Sequence, residues 1–151
     1  GMYPVSANVP LGAQTGATPD GRLAFTPIAD GVSPAAGRDV KGPTASCNSV
    51  SSIDHGIASN GTLFNMKFHP SALAGVSGLE DFVALVQTYF DRKGSHMQFN
   101  VVSRETLRDA QKHPEKYQGL VVRVAGYSAL FTSISRSLQE DIINRTEQGG
   151  F

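Results

Sequence analysis

The sequence predicts an α/β fold, and three observations carry that prediction. From residue 62 onward, short runs rich in β-branched and aromatic residues recur. Between them lie longer stretches whose apolar residues return every three to four positions, the alternation expected of strands and helices in turn. Residues 1–45 follow neither period. Pro4, Pro10, Pro19, Pro27, Pro34 and Pro43 are spread through them, with glycines at 12, 16, 21, 31, 37 and 42. A stretch this long without structure of its own is unusual inside a compact domain. Two parts follow: an extended arm over 1–45, made to run over a larger body, and one structural unit over 46–151.

In the arm, Thr18-Pro19-Asp20-Gly21 has turn chemistry. Tyr3, Val5, Val9, Leu11, Leu23, Phe25 and Ile28 are the side chains able to anchor it. Pro43 suits the first turn of a short helix to Asp54, with Val50 and Ile53 on one face. Thr62 to Phe68 reads as a strand, its Leu63, Met66 and Phe68 interleaved with Asn65 and Lys67 and its end set by His69-Pro70. Leu79 to Lys93 is the clearest helix, with Leu79, Phe82, Val83, Val86, Tyr89 and Phe90 on one stripe. Glu80 and Asp81 fall in its first turn, and Gly94 stops it.

Met97 to Val102 is the next strand. Ser103 then caps a helix over Arg104 to Lys112 that His113-Pro114 ends. Val121 to Val124 is β-branched and reads as a buried strand, interrupted at Gly126 where a side chain would add stability. Ser135 or Ser137 caps the last helix, to about Thr146, and Ser137-Leu138-Gln139-Glu140 has capping-box spacing. Leu138, Ile142 and Ile143 form its buried side.

Composition excludes several functions. The 13 basic and 13 acidic residues balance without a long run of either sign, which argues against a nucleic-acid or membrane-surface partner. No apolar run approaches the length of a membrane span, and nothing suggests a signal peptide. A single cysteine, Cys47, cannot form an internal disulfide and fits a reducing, cytoplasmic setting. His55, His69, His96 and His113 are widely spaced without a zinc pattern, so no metal is expected. No glycine-rich nucleotide cradle is present, hence no bound cofactor. Asp54-His55 near several serines lacks a nucleophile-elbow sequence.

Arg123-Val124-Ala125-Gly126-Tyr127 resembles the R-V-x-G-Y signature of glycyl radical enzymes. Tyr3-Pro4-Val5-Ser6, Pro19-Asp20-Gly21-Arg22, Asp30-Gly31-Val32-Ser33-Pro34 and Gly42-Pro43-Thr44-Ala45 also look like that family's C-terminal region. So do Asn60-Gly61-Thr62-Leu63, Gln98-Phe99-Asn100-Val101-Val102 and the segment Ala110 to Tyr117, all in the family's order. The match covers essentially the whole chain and is closer in style to the eliminating members, the glycerol, propanediol, choline and hydroxyproline lyases, than to pyruvate formate-lyase. The resemblance implies that the strands belong to the last portion of a ten-stranded barrel.

It also implies a radical at Gly126, and the residue type has a physical reason. Loss of a Cα hydrogen leaves an unpaired electron shared with the flanking amide groups, which requires a nearly planar centre. A Cβ would clash there, and glycine has none. Such a centre needs shielding from water and oxygen, as a loop inside an apolar barrel would give. In the family an activase using adenosylmethionine and a [4Fe-4S] cluster removes the hydrogen, so the loop must also be able to swing out. The radical then passes to a cysteine on a separate loop that precedes this region. The surroundings of Cys47 do not match that loop, so Cys47 reads as a packed helix residue and the chain alone as inactive.

The implied partners are the activase, the remainder of the enzyme carrying the cysteine, and a second copy of the complete enzyme. Arg123 is either a buried ion-pair partner or a contact for the activase, with the structural role favoured. Two other functions remain open on the sequence: a small spare subunit that restores an oxygen-damaged lyase, and an interaction domain that has lost its radical.

Overall fold

Strand β1 (Asn65–Phe68) is the middle of a three-stranded parallel sheet, flanked by β2 (Gln98–Val101) and β5 (Glu147–Gln148). The structure, a computed structural model, describes residues 4–151, so the expected anchor Tyr3 lies outside it. Side chains alternate across a strand. Phe64, Met66 and Phe68 therefore enter one core, with Cys47 and Val50 of α2 (Pro43–Val50) and Leu85 and Tyr89 of α3 (Gly75–Asp91). Asn65 and Lys67 point to the opposite face. An alternating strand commonly leaves its polar face in water, but all four residues of β1 are buried. The polar face is covered, and that fact organises the rest.

Register places Asn65 beside Gln98 and Lys67 beside Asn100, so two polar pairs lie side by side on the covered face. Lys67 is almost fully enclosed, and its Nζ donates to the Ile143 carbonyl at 2.8 Å and the Ile142 carbonyl at 3.4 Å. Those carbonyls belong to the last turn of α5 (Arg136–Asn144), which has no intrahelical donors for them. A second apolar core joins Val102, Leu107 and Ala110 to Ile142 and Ile143, with Leu107 and Ala110 supplied by α4 (Arg104–Lys112). Val122, Val124 and Phe131 complete it.

Local signals place the helices with small shifts. Ser103 caps α4, its Oγ accepting from the Thr106 N–H at 3.0 Å. Ser135, rather than Ser137, caps α5, accepting from the Leu138 N–H at 3.4 Å. α3 starts at Gly75, a turn before the expected Leu79, so Glu80 and Asp81 do not lie in its first turn. Its end departs too: Lys93 takes the left-handed conformation at φ 72°, and the Gly94 N–H donates to the Tyr89 carbonyl at 3.0 Å. Gly94 is needed for space, since a Cβ there would stand 2.2 Å from the Tyr89 ring.

The arm contains one short helix absent from the sequence reading, α1 (Asn8–Gly12), and only turns and bends over 13–42. Val5, Val9 and Ile28 are partly covered, but Leu11, Leu23 and Phe25 are exposed and do not anchor it. Polar groups do. Asn8 is buried and its Nδ2 donates to Asp141 Oδ1 at 3.0 Å, while Asp30 and Ser33 are buried against β1.

Candidate functional site: the Gly126 hairpin

The strand expected at Val121–Val124 is β3 (Val121–Arg123), and it does not join the parallel sheet. It pairs antiparallel with β4 (Ser128–Leu130), a strand that sequence reasoning missed because three residues after a glycine carry little periodicity. Val122 faces Ala129 and Arg123 faces Ser128. The Val124 N–H then donates to the Tyr127 carbonyl at 2.8 Å, closing a turn with Ala125 and Gly126 at its centre. Gly126 has φ +78° while Ala125 before it does not have positive φ, so the second central position of this turn takes the left-handed region that favours glycine. A Cβ on Gly126 would meet only Leu63 Cδ1, at 3.2 Å.

The five residues of the motif lie in different environments. Val124 and Ala125 are buried, Arg123 is half-buried, and Gly126 and Tyr127 are exposed. The shielding that the chemistry requires is therefore not supplied by residues 4–151. Tyr127 lines a groove with Asn8, Val9 and Pro10 of the arm and Ser135 and Leu138 at the start of α5. Arg123 makes no ion pair among the described residues. Its Nε donates to Gln98 Oε1 at 2.6 Å and its Nη1 to Ser128 Oγ at 3.2 Å.

Side-chain amides from the covered sheet face hold the hairpin. Asn100 accepts from the Arg123 N–H at 2.8 Å and donates to the Arg123 carbonyl at 2.8 Å. Asn65 Nδ2 donates to the Val124 carbonyl at 3.3 Å and also to Asp30 Oδ2, and Gln98 Nε2 donates to Asn65 Oδ1. Ser33 Oγ donates to Asp30 Oδ2 at 3.2 Å and accepts from the Asn65 N–H at 2.9 Å. Arg145 closes the network, 3.1 Å from Asp141 Oδ2 and 3.9 Å from Asp30 Oδ2. Burial raises the Asp30 carboxyl above its ordinary range, and the Arg145 charge and the Asn65 hydrogen bond only partly offset this. Arm, sheet, hairpin and α5 thus meet in one hydrogen-bonded cluster beneath Gly126. Sequence reasoning saw these residues as strand, arm or last-helix positions, and nothing local to them signals the cluster.

Cys47 is buried on the other side of the sheet, its Sγ 4.0 Å from Met66 Sδ. Burial pushes its thiol up to about 12. His55 is held by Thr62 Oγ1 at 2.6 Å and the Val50 carbonyl at 3.0 Å, a structural role. Distant residues do converge at His69, Glu105 and Glu147, whose ligand-type atoms lie within 4.8 Å of one another. Two of them have other partners: Glu147 accepts from the Arg104 N–H at the start of α4 at 2.5 Å, and His69 Nδ1 lies 2.6 Å from Ser71 Oγ. No described helix is long and apolar enough to cross a membrane.

At the hairpin tip the exposed Gly126 presents a bare main-chain carbon, followed by the exposed Tyr127 and Ser128 side chains, so the class the fold defines is one whose site is centred on backbone. Residues 28–132 match the glycine radical family. The chain is 53% identical over 148 residues to a probable dehydratase, YbiW, of Escherichia coli strain K12, covering 97% of this chain and 18% of that protein. It superposes on the structure reported for 1,2-propanediol dehydration in Roseburia inulinivorans with a TM-score of 0.93 and 74% identity, covering 97% of this chain and 18% of that one. It also superposes on the glycerol-bound, B12-independent glycerol dehydratase from Clostridium butyricum with a TM-score of 0.94 and 63% identity, covering 98% and 19%. The chain belongs to the glycine radical family, among its dehydratases and lyases. It spans less than a fifth of the length of these relatives.

Proposed function

We propose that Gly126 stores the glycyl radical of an anaerobic dehydratase or lyase that eliminates across a C–O or C–N bond. An activase using adenosylmethionine and a [4Fe-4S] cluster removes one Gly126 Cα hydrogen. The radical then passes to a cysteine outside this chain. That cysteine abstracts hydrogen next to a hydroxyl-bearing carbon of the substrate, and the neighbouring carbon loses its leaving group. The observation that carries this reading is the hairpin itself: a glycine at φ +78° within Arg123-Val124-Ala125-Gly126-Tyr127, at the tip, with almost nothing packed on it. An exposed tip is open both to an activase and to a covering body.

Cys47 is not the relay. Its thiol is buried and bonded to nothing more reactive than a thioether, on the sheet face opposite the hairpin. Residues 4–151 alone therefore turn over no substrate. A covering body is also what the arm requires, since Leu23 and Phe25 are 72% and 70% exposed. We place these strands at the end of a ten-stranded barrel whose other strands, like the cysteine, lie in the rest of a cytoplasmic and oxygen-sensitive enzyme, acting as a homodimer. A spare radical subunit docking on a separate body would need the same surfaces, and recovery of lyase activity from a mixture with an inactivated body separates the two.

Oxygen provides the test. Attack on the radical cuts the main chain at its carbon, so activated protein exposed to air releases a C-terminal fragment beginning near Tyr127. Mass spectrometry that finds only intact chain after confirmed activation removes the assignment to Gly126.

A further inference from the structure

We infer that Asn100, supported by Gln98 and Asn65, is a positioning residue for the radical site: its amide clamps the Gly126 hairpin to the sheet and sets how readily the hairpin is released. The inference rests on the reading of Gly126 as the radical centre. The hairpin's main-chain hydrogen bonds stay within itself, from the β3–β4 pairs to Val124 N–H on Tyr127 and Phe131 N–H on the Leu120 carbonyl. Among the described residues, no main-chain bond joins 121–131 to the parallel sheet.

Side chains make the joint instead. Asn100 gives Arg123 one donor and one acceptor, both at 2.8 Å, which is the pair a neighbouring strand would offer. The remaining polar ties are Gln98 on the Arg123 guanidinium, Asn65 on the Val124 carbonyl, Arg145 Nη1 on the Arg123 carbonyl at 3.5 Å and, at the far end of the hairpin, Gln139 Nε2 on the Phe131 carbonyl at 2.9 Å. Strand pairing is a ladder in which neighbouring bonds support one another. An amide clasp on one residue can let go without unzipping β1 from β2. Val122, Val124 and Ala125, each no more than 1% exposed, then draw the hairpin back to the same seat. A radical carbon that must be held still, yet handed to an activase, needs this combination.

Asn100 is itself buried, so its amide is committed to the joint and not shared with water. Removing it takes two hydrogen bonds from Arg123 and should speed hairpin opening by about tenfold or more.

The test is amide hydrogen exchange on the 151-residue chain, comparing wild type, Asn100→Ala and Gln98→Leu. The expected result is faster exchange over 121–131 in both variants, more so in Asn100→Ala, with Met66 to Phe68 unchanged. With activase and adenosylmethionine, the same variants should gain the radical signal faster than wild type while exchange at Met66 to Phe68 stays unchanged, a combination that general destabilisation does not produce. Exchange that rises equally in β1 and the hairpin, or in neither, overturns the clamp, and Gln98→Leu keeps the question open to test where Asn100→Ala does not fold. If wild type gains no signal while the hairpin opens selectively, the failure lies with Gly126 as radical centre and is recognised by its independence of residue 100.

Discussion

Replacing Gly126 by alanine separates chemistry from packing. The backbone is at φ +78°, where an L side chain costs about 1–2 kcal/mol. A Cβ would meet only the end of the Leu63 side chain, at 3.2 Å, which needs to give by a few tenths of an ångström. Loss of unfolded-state freedom returns about 0.4–1 kcal/mol. The net cost should be about 1 kcal/mol, small enough for the chain to stay folded. Gly31 supplies the contrast: it too has positive φ, at +55°, but its Cβ would stand 2.2 Å from the Leu63 carbonyl oxygen. Gly31→Ala combines backbone strain with a clash against main chain and should cost on the order of 3 kcal/mol or more. Urea denaturation of the two variants measures both. If Gly126→Ala costs as much as Gly31→Ala, the glycine at 126 serves packing, and the argument that its missing side chain serves a radical loses its physical basis.

Two further predictions concern buried groups. Lys67 is driven by burial from its ordinary 10.5 down to about 8, so between those values the unfolded chain holds a proton that the folded chain has lost. Stability should therefore rise with pH through that window, by up to about 1.4 kcal/mol per unit, and flatten below it. Lys67→Met should lose the slope in urea titrations at stepped pH; a slope that survives the substitution assigns it elsewhere. Cys47 has its thiol raised from 9.0 to about 12, so at neutral pH its thiolate is scarcer by roughly 10³. Native protein should react with a disulfide reagent slower than urea-unfolded protein by a comparable factor, and equal rates would mean that Cys47 is accessible.

What the sequence made legible is local. Ser103 before Arg104 announces a cap, Pro43 announces a helix start, and the glycine that interrupts the Val121–Val124 run marks a hairpin turn. What it hid is tertiary. Asn65, Lys67, Gln98 and Asn100 look like the wet side of ordinary strands, because nothing in a period of two tells whether a polar face meets water or another element. The arm hid its anchors for the same reason: Asn8, Asp30 and Ser33 are buried by partners far along the chain, while Leu23 and Phe25 stay outside. β5 is two polar residues, Glu147 and Gln148, and only its parallel pairing with Lys67 and Phe68 makes it a strand. Lys93, not the glycine after it, takes the left-handed turn at the end of α3, and Gly94 is reserved by the Tyr89 ring, which leaves no room for a Cβ.

The central claim is that one hydrogen on the Gly126 Cα leaves and later returns. Electron paramagnetic resonance of the chain after anaerobic treatment with a radical activase and adenosylmethionine reads it directly. The account predicts a doublet split by the single remaining α-hydrogen, collapsing to a singlet when glycine is supplied deuterated at Cα and absent from folded Gly126→Ala. A signal that persists in Gly126→Ala, or a wild-type signal indifferent to Cα deuteration, contradicts it.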